Sequence, residues 1–138
     1  MNKVTRAILF TGILAMTAAI AGGGSVLAIQ TVTLSIDPPS RTLKLGDVFD
    51  ARIILDTGAA AVDGVDVHYL RYNSSYLEVQ DVDSAAAGVQ IKAGTLFANT
   101  TLNKAEASGA NGAIGFSQIT SGGTTFTGSG TLATITFK

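Results

Sequence analysis

From residue 31 to residue 138 apolar side chains recur at about every second position in short runs. Each run stops at a cluster of Gly, Pro, Asn, Asp or Ser. Period-two patterning rich in β-branched residues suits half-buried strands, because successive side chains point to opposite faces of a sheet. The run from Gly128 to Lys138 is the clearest: two glycines release the backbone, then small or apolar residues alternate with threonines. The same pattern predicts strands over residues 31–36, stopped by Asp37-Pro-Pro-Ser40, and over 48–55, after a Gly46-Asp47 turn. Strands are also predicted over 65–72 and 77–82, separated by an Asn73-Ser-Ser75 turn. Residues 102–107 and 113–119 flank Ser108-Gly-Ala-Asn-Gly112, a hairpin signal carrying Asn-Gly. Residues 42–45, 89–91 and 95–97 read as short extended pieces. With no helical period after Ala28, the pattern describes an all-β sandwich.

One run breaks parity. Val65, Val67 and Tyr69 are apolar at odd positions, whereas Leu70 and Tyr72 continue at even ones. A strand that keeps burying apolar groups across such a switch needs one extra residue, so a β-bulge is expected near residues 68–70.

The amino-terminal segment has a different character. Lys3 and Arg6 precede an apolar run over residues 7–21, followed by Gly22-Gly-Gly-Ser25 and Val26-Leu-Ala28. A basic region, an apolar region and a small-x-small site make a secretory signal peptide over residues 1–28. Cleavage after Ala28 fits best, and Ala19-Ile-Ala21 is the second choice. An uncleaved membrane anchor over residues 7–29 is the alternative, weakened by the triple glycine. Both readings place residues 29–138 outside the cytoplasm as one domain. Without Lys3 and Arg6, seven of the nine basic residues face ten acidic ones, a net charge of about −3. The mildly acidic balance argues against nucleic-acid binding. The chain has no cysteine, so its core holds without disulfides and carries no thiol chemistry.

Several motifs in order resemble the cohesin domain. Val62-Asp-Gly-Val-Asp66 and Tyr72-Asn-Ser-Ser-Tyr-Leu-Glu-Val79 are similar to that family's third and fourth strands, with a tyrosine-containing turn before a Leu-Glu pair. Gly46-Asp47, Gly94-Thr-Leu-Phe97 and the segment from Gly128 to Phe137 resemble its Gly-Asp turn and its later strands. The resemblance covers nearly all of residues 31–138. It implies a jelly-roll β-sandwich of about eight to nine strands, related in fold to carbohydrate-binding modules. Cohesins on the scaffolding proteins of cellulose-degrading bacteria bind dockerin modules, and other cohesin-like domains occur on cell surfaces. The dockerin-binding type presents an Asn and an Asp, one residue apart, shortly before the tyrosine. Here Asp66 matches the Asp, one residue further from Tyr72 than in that pattern, and the Asn position falls on Gly64. Family members also continue past the Thr-Ile-Thr-Phe strand with another that pairs beside the first. The resemblance therefore implies either a fragment lacking its last strand, the reading that fits better, or a first strand left with an open edge.

Candidate chemistry is sparse. A single histidine, His68, cannot build a His-based metal cage, and a lone histidine on a strand is most often a surface residue. Glu78 and Glu106 are the only glutamates, with nothing to place a carboxylate pair in one cleft. Asp81, Asp83 and Gln80, or Asp63 and Asp66, offer oxygens but no calcium-loop spacing, so no metal or cofactor is expected. There is no tryptophan, and Tyr76, in its turn, is the tyrosine expected to face water, either as a weak sugar platform or equally as a lid over the core.

The expectation is a secreted or cell-surface, non-catalytic binding module. Its partner would be a dockerin-like protein or a polysaccharide, met by a flat sheet face rimmed by Asp66, His68 and Arg71, with Tyr76 as a further candidate binding residue. Contact with a membrane is expected only through the amino-terminal segment. The alternative is a structural module of a larger surface protein with no soluble ligand.

Overall fold

The computed structural model describes residues 31–138, so the signal peptide expected over residues 1–28 lies outside the described residues. Seven strands form: β1 (Thr33–Asp37), β2 (Phe49–Asp56), β3 (Gly64–Asn73), β4 (Lys92–Ala93), β5 (Asn99–Ser108), β6 (Asn111–Ile119) and β7 (Ser129–Phe137). No helix occurs among the described residues. All strand pairs are antiparallel, in a four-stranded sheet of order β1-β2-β7-β4 and a three-stranded sheet of order β3-β6-β5.

Both sheets feed one core, as the alternation demands. Ala51, Ile53 and Leu55 of β2 face Ile114 and Phe116 of β6, with Ile135 and Phe137 of β7 beside them, all buried. Leu132 and Ala133 are adjacent in sequence yet both fully buried. The reason is a register shift: Ile53 pairs with Ala133 but Ile54 pairs with Thr131, leaving Leu132 as an extra residue that flips the parity.

The expected bulge is present in β3. Val67 pairs with Phe116 and Leu70 with Ile114, so His68 and Tyr69 together oppose Gly115. The extra residue lets Val65, Val67, Leu70 and Tyr72 all pack against the core.

Fewer strands form than the pattern suggested. Residues 77–82 make only a bridge at Val79, with Glu78 and Lys138 exchanging backbone hydrogen bonds of 2.9 Å. Beyond it the Asp81 carboxylate accepts from the N–H groups of Asp83 and Gln90, and this local capture ends the extension. Residues 42–45 close a turn instead, with Asp47 N–H donating to Lys44 O at 3.0 Å and Gly46 at φ 88°. Residues 95–97 are irregular, although Phe97 joins the core.

The β5–β6 hairpin forms, but its turn is not Asn-Gly. Ser108 pairs with Asn111, leaving Gly109 and Ala110 as the two turn residues, and only Gly109 has positive φ (59°). Glycine at the first of two central positions is the type II′ preference. Gly112 is needed for another reason. The Tyr72 ring lies across it, and a Cβ there would sit 2.2 Å from the ring. That position lets Tyr72 reach Phe137, with ring centroids 5.5 Å apart.

One flank of the two sheets is closed. Val89 bridges Ala105 of β5, while Lys92 and Ala93 pair with β7, so residues 89–93 cross from one sheet to the other. The Asn103 side chain seals that crossing by imitating a backbone: it accepts from Ile91 N–H at 2.9 Å and donates to Ile91 O at 2.7 Å. On the other flank β1 and β3 are outer strands with no backbone bridge between them among the described residues. Neither contains a fully buried residue.

Gly112→Ala is expected to force the Tyr72 ring off its seat and cost about 1–3 kcal/mol. Urea unfolding measures this, and a paired Tyr72→Leu change should recover part of the loss. Asn103→Ala leaves both polar groups of the Ile91 backbone unpaired and should cost about 1–3 kcal/mol on the same measurement.

Candidate binding face on the three-stranded sheet

Strand alternation sends one side of β3, β6 and β5 to solvent. Asp66 and Arg71 of β3 stand opposite Ser117 and Ala113 of β6. The bulge adds His68 and Tyr69 to the same side, where they line a dent together with Gly115. In β5 a second register shift, between Thr100 and Leu102, turns Leu102 outward over Gly115. The resulting dent is shallow, about 120 Å³, with Ala113 and Gly115 as its floor and His68, Tyr69 and Leu102 as its walls. Lys104 and Glu106, ion-paired with each other, edge it on the β5 side.

Tyr69 is the residue that periodicity alone would have buried. Its φ of 59° makes it the only non-glycine residue with positive φ among those described, and it is 64% exposed. Left-handed backbone costs a non-glycine residue roughly 1–2 kcal/mol. The ring is held from both sides along β3. His68 meets it edge-on, with centroids 5.3 Å apart, and the Arg71 guanidinium carbon stands 5.9 Å from its centre.

Asp66 organises the polar part of the face. Its Oδ2 lies 3.0 Å from His68 Nδ1, and its Oδ1 accepts from the Ser117 hydroxyl. The Ser117 hydrogen bond first, and then the imidazole of His68, hold the Asp66 carboxyl below its ordinary value of 3.8. The order of the three groups matters chemically. Here the carboxylate sits between hydroxyl and imidazole, whereas a nucleophilic triad needs the imidazole in the middle to take the hydroxyl proton. The arrangement fixes side chains and does not activate Ser117.

Of the residues singled out in the sequence, Asp66, His68 and Arg71 come together on this face. Tyr76 does not line the dent. It is 79% exposed in a turn beyond β3, where Ser74 N–H and Oγ bond Ala110 O and Gly109 O of the neighbouring hairpin turn. Tyr69, Leu102 and Gly115 were missed as site residues. For Tyr69 the signal was present, because a parity switch marks the residue that must leave the core. For Leu102 there was none, since its outward aim follows from the bulge at Thr101.

Gly64 opens β3 opposite Ile119, and a Cβ there would lie 2.9 Å from both Gln118 O and Ile119 Cγ2. An asparagine at this position would not fit without movement of the backbone. Among the described residues no group of three or more His, Cys, Asp or Glu side chains is placed to hold a metal ion. No protein-family model, curated protein or solved structure matches the chain.

Because its folded value lies below the unfolded one, Asp66 contributes stability above pH 3.8 that is lost as pH falls through the folded value. The stability difference between wild type and Asp66→Asn is therefore expected to shrink from about pH 5 toward about pH 2 in urea titrations. The effect is small, since the carboxylate is solvated.

Proposed function

We propose that the chain is a secreted or cell-surface, non-catalytic binding module of cohesin type, a jelly-roll sandwich that attaches to a protein partner. The attachment face is the outer side of β3, β6 and β5. The observation that carries this reading is the Tyr69 side chain: the bulge that lets β3 pack leaves this ring exposed, supported from the side by His68 and Arg71 and packed on nothing in the core. Exposed aromatics with an arginine beside them, around a dent and inside a charged rim, have the composition of an interface centre. The dent accepts one small apolar side chain of the partner, and Asp66, Lys104 and Glu106 set the charge pattern around it. The partner is dockerin-like in being a protein module, but the two-anchor dockerin mode does not suit Gly64.

A second reading, a structural module of a larger surface protein, draws support from the outer edges of β1 and β3, which have no strand partner among the described residues, and from their half-buried inward side chains. Such edges accept an added strand.

Tyr69→Gly separates the two. Glycine accepts positive φ without strain, so thermal stability should stay level or rise by up to about 1 kcal/mol. Capture of a specific partner from the cell envelope should fall by about thirtyfold, the loss expected of an interface hot spot. Partner capture that survives both Tyr69→Gly and Asp66→Ala would refute the assigned face. No specific capture by the wild type would favour the structural module.

A further inference from the structure

β3 ends the three-stranded sheet, and its far edge is bare. Among the described residues, none of residues 64–72 makes a backbone hydrogen bond outside the β3–β6 ladder. Such an edge invites another strand, and natural edges resist chance pairing with charged side chains. Here the charged positions are Asp66 and Arg71, which differ in sign. Behind them Val65, Val67, Leu70 and Tyr72 pack against the core yet stay only partly buried. The ion pairs among the described residues are Arg41–Asp47, Arg52–Asp37, His68–Asp66 and Lys104–Glu106. Arg71 is in none of them and stands only beside the Tyr69 ring.

The bulge gives this edge a symmetry that residue numbers alone hide. Before it the inward residues are Val65 and Val67, and after it they are Leu70 and Tyr72. Consider a second β3 laid antiparallel alongside, with Val67 opposite Leu70 of the other copy. Val65 then meets Tyr72 and Asp66 meets Arg71, each pairing occurring twice about the two-fold axis. Inward residues face inward residues, and acid faces base. In an unbulged strand the same register would set inward residues against outward ones. With a bulge in each copy, His68 and Tyr69 of one strand meet Tyr69 and His68 of the other, and neither has a residue to spare.

We infer that the edge of β3 is an isologous contact through which two copies of this chain join, turning two three-stranded sheets into one. Opposite charges and apolar groups facing each other across antiparallel strands stabilise, whereas like charges directly opposite destabilise. The edge selects a second copy because it matches itself in sign, in parity and in bulge. The contact leaves the outer side of β3, β6 and β5 open, with the two dents facing the same way. It is independent of the partner proposed for that side.

Sedimentation equilibrium of the full chain tests it without any other partner present. Wild type is expected to pass from one copy to two as concentration rises. Arg71→Asp places a carboxylate opposite Asp66 of the other copy, twice, and Asp66→Arg places a guanidinium opposite Arg71 in the same way. Each variant alone should lose at least about tenfold in dimer affinity. An equimolar mixture of the two restores both opposite-charge pairs and should dimerise as wild type does. Thermal unfolding matched to wild type shows that each variant is folded. Three outcomes would overturn the inference: a wild type that stays monomeric at every concentration, an intact Arg71→Asp variant that dimerises as tightly as wild type, or a mixture of folded variants that associates no more tightly than its components.

Discussion

β3 has to bury Val65 and Val67 on one side of a switch in parity and Leu70 and Tyr72 on the other, against a partner strand that does not switch. Strand geometry allows no such sequence to pair in register, because a one-residue slip would send half of these side chains to water. The extra residue between Val67 and Leu70 resolves the conflict, and the cost appears as the left-handed backbone of Tyr69. Burying four half-covered apolar groups, at roughly 25 cal/mol per Å² of apolar surface, outweighs roughly 1–2 kcal/mol of local strain. The candidate protein-binding face follows from that balance, since the same bulge carries Tyr69 and His68 outward.

Glycines then decide how closely the layers approach. Gly112 admits the Tyr72 ring, which in turn meets Phe137, and Phe137 meets Phe49 with centroids 5.6 Å apart. Gly115 admits Leu102 on the outer side of the same strand, where its missing side chain becomes the floor of a dent. One strand thus uses two glycines for opposite purposes, core packing on one side and surface shape on the other. Alternation assigns each to its side.

The two sheet faces contrast in the free energy they offer a ligand. On the three-stranded sheet an exposed ring, a leucine and small residues present apolar area within a charged rim. That combination favours a protein surface with a matching knob. On the four-stranded sheet the outward positions include Asp37, Asp50, Arg52, Lys92, Thr134 and Thr136 together with Ile54, and Arg52 is paired with Asp37 and Thr136 with Asp50. The two faces therefore differ in chemistry although the same core backs both.

Alternation, turn residues and the parity switch were enough to place β1, β2, β3, β5, β6 and β7 within a few residues, and to place the bulge. These are local constraints: each strand's inward set is written in its own residues. Tertiary structure alone decided the rest. It reduced residues 77–82 to a single bridge because Asp81 captured nearby N–H groups, and it moved the hairpin turn from Asn-Gly to Gly109-Ala110. It separated Tyr76 from Asp66, His68 and Arg71, and it brought Leu102 beside Tyr69 across two intervening strand spacings. It also set Asp37, Arg52, Thr134 and Lys92 in one row from four distant segments. Which strands are neighbours, and in what register, is a property of the packed sheets. No window of sequence contains it.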